Sequence, residues 1–210
     1  MPQIPPSDPK RLERYHHGNL RAALLEAAEA ELVEHGIEGF SLRGVAKRAG
    51  VSHAAPAHHF RDANGLLTAL AAGGFGRFVA MQTARQAQTV ATDVEQFVAA
   101  GLGYIDFATT HPALFRLMFS SNRLSYDQTD LHAAANTAIT KLIGDVRIAR
   151  GQAVSDAPLD PATARDVMAA WAIAHGLADL MLAGRAQFLL ELGHADRDTM
   201  FAEILRRALN

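Results

Sequence analysis

Alanine and leucine set the limits on what this chain can become. Ala occurs 41 times and Leu 24 times in 210 residues, against 18 for Val and Ile combined. Both enter a helix at little cost, whereas β-branched side chains lose χ1 freedom there and favour strands. Four prolines crowd the first nine residues, and only Pro56, Pro112, Pro158 and Pro161 follow, so long uninterrupted helices are allowed. The expected class is all-α. The length suffices for one large domain or two unequal ones, with a core that needs no covalent staple. Cys is absent, which excludes disulfides and thiolate metal sites and suits a reducing compartment. Mean hydropathy is +0.01, and no apolar run approaches the ~18 residues of a transmembrane helix. The proline-rich start lacks the apolar stretch of a secretory signal. A cytoplasmic location with no membrane partner is expected.

The net charge of -2 argues against a nucleic-acid partner until it is divided along the chain. Residues 1–61 sum to +1 and residues 62–210 to -3. Between Ser41 and Arg61 lie Arg43, Lys47, Arg48 and Arg61 with no acid, and His53, His58 and His59 share the window. The acids of the first segment, Glu26, Glu29, Glu31, Glu34 and Glu38, precede it. A polyanion meets this local field rather than the global average. Protonation of the three histidines below pH ~6.5 would add to it.

Periodicity and capping residues predict about nine helices, and no internal repeat is found. The first spans about Asn19–His35, with Leu25, Ala28 and Leu32 on one face and Gly36 as its stop. Ser41 caps a short helix, Leu42–Arg48, which ends in the turn Ala49-Gly50-Val51. A third short helix is expected to open at Ser52, and Asp62 caps a long fourth from Ala63 toward Ala87. Thr92 and Glu95 form a capping box for a helix ending near His111. Helices over about Ala113–Phe119, Leu131–Arg150, Pro161–Leu182 with Asp160 as cap, and Asp196–Leu209 complete the reading. Three regions result: an N-terminal arm over 1–14, a helix-turn-helix domain over 15–70, and a larger domain over 71–210.

Two short helices joined by a glycine turn match a helix-turn-helix unit. Its second helix must enter the major groove, so its outward residues must be small or hydrogen-bonding. The run Ser52-His53-Ala54-Ala55-Pro56-Ala57-His58-His59 satisfies this, and Phe60 anchors it. Ser52 and His53 can reach base edges or phosphates, Ala54 and Ala55 thymine methyls, and His58 and Arg61 phosphates. Spacing and charge alone leave open an αα-hairpin that merely packs, and with it a helical adaptor that binds only protein. No H-E-x-x-H, phosphate-binding loop or G-x-S-x-G elbow occurs. No catalytic residue, metal or cofactor is therefore expected.

The residues also carry a resemblance. Tyr15-His16-His17-Gly18-Asn19-Leu20-Arg21, His35-Gly36, Phe40-Ser41-Leu42-Arg43-Gly44-Val45-Ala46, Ala49-Gly50-Val51-Ser52, His58-His59-Phe60 and Leu66-Leu67 follow one another in an order that resembles the DNA-binding domain of the TetR/AcrR family. His111-Pro112-Ala113-Leu114-Phe115 and Trp171-Ala172-Ile173-Ala174-His175-Gly176 resemble a C-terminal regulatory domain with a Trp–His–Gly signature. The resemblance implies a helical homodimer that represses transcription from a double-stranded operator and leaves it on binding a small molecule. It puts Ser41 near phosphate, Arg43, Ser52, His53, Ala54 and Ala55 on the groove side, and His58 and Arg61 at the backbone, with His59 completing the set. Where the family usually has a phosphate-contacting Tyr, this chain has Ala57, so that contact is lost or moved to a neighbouring His.

In the C-terminal body, Phe107, Phe115, Met118, Met168, Trp171 and His175 are the candidate effector-binding residues, with Trp171 and His175 sharing a helix face. Asp179 is placed to fix the His175 tautomer. A second face of the same helix, Ala169, Ala172, Gly176, Leu180 and Ala183, is mostly small and suits close packing against a second copy. Phe201, Ile204, Leu205 and Leu209 on the last helix are expected to join it in a four-helix dimer interface.

Overall fold

The computed structural model describes residues 9–89, 92–189 and 191–209. These residues form helices and turns, and no strand occurs among them. In chain order the helices are α1 (Pro9–His35), α2 (Leu42–Ala49), α3 (Ala55–Phe60), α4 (Ala63–Ala87), α5 (Asp93–Thr110), α6 (Pro112–Ser120), α7 (Thr129–Ala149), α8 (Pro161–Leu182) and α9 (His194–Arg206). Short 3-10 turns cover Gln187–Leu189 and Arg207–Leu209. Helix α1 starts at Pro9, well before the expected Asn19; residues 1–8 of the expected arm lie outside the described residues.

Capping side chains fix most starts. Gly44 N–H donates to Ser41 Oγ at 3.1 Å, Gly65 N–H to Asp62 Oδ1 at 2.8 Å and Glu95 N–H to Thr92 Oγ1 at 3.3 Å. The Asp160 carboxylate accepts from the amides of Ala162 and Thr163, both at 3.0 Å. Gly50, at φ 66, turns the chain out of α2 in a left-handed conformation open to glycine at no steric cost.

Helix α3 begins at Ala55 rather than at Ser52. Proline explains the difference. Pro56 lacks an N–H, and its ring would clash with the carbonyl four residues earlier, so a helix can start beside it but not run through it. Ser52, His53 and Ala54 therefore form the turn that leads into α3.

Helix α4 organises the packing. It lies against α1, α3 and α6 as well as α5 and α7, and one hydrophobic core runs from Leu24, Val45 and Phe60 through Leu67 and Phe75 to Phe107 and Leu205. The expected domain boundary at residues 70 and 71 falls inside this helix. Phe201 and Leu205 of α9, expected at a dimer interface, are buried within the chain instead, because α9 folds back on α5.

Glu31 locks α2 onto α1. Only 4% exposed, its carboxylate accepts from Arg48 Nε at 2.9 Å and from the Ser41 hydroxyl at 3.3 Å. Arg48 also pairs with Glu34 and, by that hydrogen bond first and its charge second, holds the Glu34 carboxyl below its ordinary range. A Cβ on Gly44 would overlap the Glu31 carboxylate. Gly44→Ala should therefore push the Glu31 carboxylate off Arg48 and Ser41 and destabilise the chain, because leaving a buried acid without its partners costs about 1–3 kcal/mol, more than the ~1 kcal/mol by which helix propensity favours Ala. Chemical denaturation checks this, and a variant as stable as the parent would contradict the described seating of Glu31.

Asp160 yields a pH prediction. Hydrogen bonds from the Thr163 hydroxyl and then from its amide lower its carboxyl to about 2. A depressed carboxyl stabilises the fold above its unfolded value near ~3.9, and this contribution fades as pH falls from there through about 2. A carboxyl-carbon NMR titration should place the Asp160 midpoint well below those of uncapped aspartates; a midpoint near ~3.9 would remove the cap from the account.

Candidate nucleic-acid interface and internal cavity

Helices α2 and α3 present one outward surface. Val45, Ala46, Pro56 and Phe60 are buried and hold it down, and the Arg21 guanidinium sits 5.3 Å from the centre of the Phe60 ring. Arg43, Lys47, Ser52, His53, Ala54, Ala57, His58, His59 and Arg61 are exposed, while Ala55 is half-buried. Ser41 is exposed too, with its hydroxyl engaged as the α2 cap and on Glu31. Of the four basic residues in the acid-free window, Arg48 turns back onto the acids of α1. The outward cations are thus Arg43, Lys47 and Arg61, joined by the histidines.

Arg61 closes α3 in an unusual conformation. Its φ of 69° and ψ of -61° bring Asp62 N–H within 2.9 Å of the Phe60 carbonyl, a three-residue γ-turn that L-residues rarely adopt. No other described non-glycine residue has a positive φ. Such backbone costs about 1–3 kcal/mol and tends to occur where a side chain must be aimed. Arg61→Gly should relieve this strain while adding ~0.5–1 kcal/mol of unfolded-state entropy, for a net stabilisation of up to about 2 kcal/mol. Urea unfolding reads the difference, and a destabilised variant would argue against a strained turn.

The second feature is internal. A cavity of about 390 Å³ lies among α4, α5, α7 and α8, walled by Phe75, Phe78, Phe97, Tyr104, Phe119, Ala138, Leu142 and Ala174, with Tyr126 from the α6–α7 loop. Trp171, 37% exposed, stands at its edge, and the exposed side chains of His132 and Asn136 also line it. Burial pushes the Tyr104 phenol far above its ordinary value. Tyr104 Oη lies 2.7 Å from His175 Nδ1. The tyrosine thus ties His175 of α8 to the cavity wall.

Of the six candidate effector residues, Trp171 lines this cavity. Phe107, Phe115 and Met118 are packed solid in the core, and Met168 is 59% exposed on the outer side of α8. His175 sits behind the wall, against Tyr104 and Phe119, and Asp179 is exposed rather than bonded to it. Side-chain chemistry does not separate Phe107 from Phe78; only tertiary packing does. The residues that sequence reasoning passed over are Phe75, Phe78 and Gln82, at i, i+3 and i+7 of α4. The signal was available: Gln82 is a polar residue on an apolar stripe.

Among the described residues, no helix is long and apolar enough to cross a membrane, and no group of three His, Asp or Glu side chains is arranged to hold a metal ion.

Comparison with known proteins bears on both features. The family profile described as "Bacterial regulatory proteins, tetR family" matches residues 24–70, and "Tetracyclin repressor-like, C-terminal domain" matches residues 97–208. The HTH-type transcriptional regulator BetI of Yersinia pestis (strain Pestoides F) is 49% identical over 49 residues, 23% of this chain and 25% of BetI. The match therefore spans about a quarter of that relative. A solved structure of a Rhodococcus sp. RHA1 protein with unknown function is 33% identical, with a TM-score of 0.75 over 93% of this chain and 97% of that one. The TetR family transcriptional regulator PfmR from Thermus thermophilus shares the fold at 19% identity, with a TM-score of 0.63 over 89% of this chain and 98% of its own.

Proposed function

Because the chain belongs to the TetR family of bacterial transcriptional regulators, we propose that it represses transcription from a pseudo-palindromic operator as a cytoplasmic homodimer and is released by a small, largely apolar effector. The observation that carries this reading is the α2–α3 surface, whose outward residues are small, hydrogen-bonding or basic while its apolar residues point inward. Ser41, Arg43, Ser52, His53, Ala54, Ala55, His58, His59 and Arg61 are the residues we assign to DNA. The turn carrying Ser52 and His53 meets the groove first, and α3 follows.

The dimer rests on α8. Met168, Ala172, Gly176 and Leu180 step along it at intervals of four residues, and Met168, Ala172 and Leu180 are exposed. A Cβ on Gly176 would meet none of the described residues within 4 Å, so packing among them does not call for glycine, whereas the close approach of a second α8 would. Two-fold pairing sets recognition elements ~34–36 Å apart, which makes the half-site spacing one helical turn of DNA. The cavity supplies the effector site, and Tyr104 links its wall to α8.

Arg43→Ala and His53→Ala should each weaken operator binding about tenfold or more at fixed salt, with unchanged helicity and melting temperature. Operator for the gel-shift titration comes from selection of bound DNA out of a random pool. Unaltered affinity in both variants would remove α2 and α3 from the interface.

A further inference from the structure

The cavity contains a polar group that the protein leaves unused. Gln82 lines it and is only 8% exposed, yet its side-chain amide makes no hydrogen bond to any described residue. Its polar atoms keep access to open space and the residue lines the cavity, so a ligand seated there can reach the amide. A ligand that covers this amide without hydrogen-bonding it would leave it unpaired at a cost. Phe78 and Phe75, one and two turns before it on α4, show that this stripe is otherwise apolar.

The charges around the cavity are already matched. Asp145, which also lines it, accepts from Lys141 Nζ at 2.7 Å and from Gln86 Nε2 at 3.2 Å, and Lys141 donates to Gln86 Oε1 at 2.7 Å. This closed triangle has no net charge to offer a ligand. The remaining ionisable groups lining the wall are the Tyr104 phenol, held neutral by burial and engaged with His175, Tyr126, whose hydroxyl donates to the Met118 carbonyl at 2.7 Å, and His132, exposed to solvent. A buried carboxylate or ammonium on the ligand would find no free counter-charge there. The aromatic rings do not form a cation box either. Most pairs meet edge to face, Phe75–Phe78 at 89°, Phe78–Tyr104 at 82° and Phe75–Phe119 at 73°, while Tyr104 and Phe119 stack at 29°, so edges or stacked rings cover the faces with which these rings meet, and no open box of faces is left for a cation.

We infer that the effector is an uncharged, largely aromatic or alicyclic molecule whose single buried polar group, a carbonyl or hydroxyl oxygen, hydrogen-bonds the Gln82 amide. This rests on the reading of the cavity as the effector site. Gln82 then acts as a specificity determinant: it admits oxygen-bearing ligands and penalises pure hydrocarbons, which would bury its amide unpaired.

Four probes of one size test this on the full chain: 2-acetylnaphthalene, its oxygen-free counterpart 2-ethylnaphthalene, 2-naphthoate and 2-naphthylmethylammonium. Calorimetry gives affinity, and quenching of Trp171, the sole tryptophan, places the probe. The ketone should bind at least about tenfold more tightly than either ion. Gln82→Met, which keeps the volume, should weaken the ketone about tenfold and leave the hydrocarbon as tight or tighter, which also shows an intact cavity. Equal binding of either ion, or a ketone affinity unaffected by Gln82→Met, overturns the neutral-ligand assignment while leaving the effector site standing. If no probe binds or quenches Trp171, the effector-site reading falls together with the inference.

Discussion

Helix α4 runs unbroken for 25 residues, about 37 Å at 1.5 Å per residue, and both candidate functional surfaces are positioned from it. Its start is set by Asp62, immediately after the Arg61 turn that ends α3. Its later turns carry Phe75, Phe78 and Gln82 into the cavity wall. No linker separates the part that faces DNA from the part that encloses the cavity. A stiff helix of this kind passes a tilt at one end to the other, because close-packed interiors shift between discrete arrangements rather than deforming smoothly.

Charge placement does comparable work near the N-terminus. Three acids of α1 are engaged with internal partners: Glu31 and Glu34 with Arg48, and Glu29 with Arg77 through two hydrogen bonds of 3.0 and 2.8 Å. Neutralising them keeps negative charge away from the α2–α3 face, where Arg43, Lys47 and Arg61 remain outward. A chain of net charge -2 can thus show a polyanion a positive surface.

Much of this was legible in the sequence, for local reasons. Ser41, Asp62, Thr92 and Asp160 each announced a helix start through a short-range hydrogen bond that depends on a few neighbouring residues, and the structure contains all four bonds. The helix-turn-helix unit was legible for the same reason, as was the family. Helix α3 starts at Ala55 and not at the expected Ser52 because Pro56 can stand only in the first turn. That Arg48 of the acid-free window turns inward depends on α1 and α2 crossing at Glu31, which sequence does not reveal. The cavity was the least legible feature: whether Phe107 or Phe78 borders empty space depends on how α4, α5, α7 and α8 meet, and no local pattern encodes that. Gln82 marks the exception, since a polar side chain on an apolar stripe demands an explanation.

The central claim is that this chain reads duplex DNA as a dimer through the α2–α3 face. Its most direct measurement is the salt dependence of binding to a duplex recovered from a random pool. If Arg43, Lys47 and Arg61 of each copy neutralise phosphates, the logarithm of the binding constant falls against the logarithm of salt concentration with a slope of about -5. A flat line, or saturable binding that ignores salt, would contradict the account and favour a protein-binding scaffold instead.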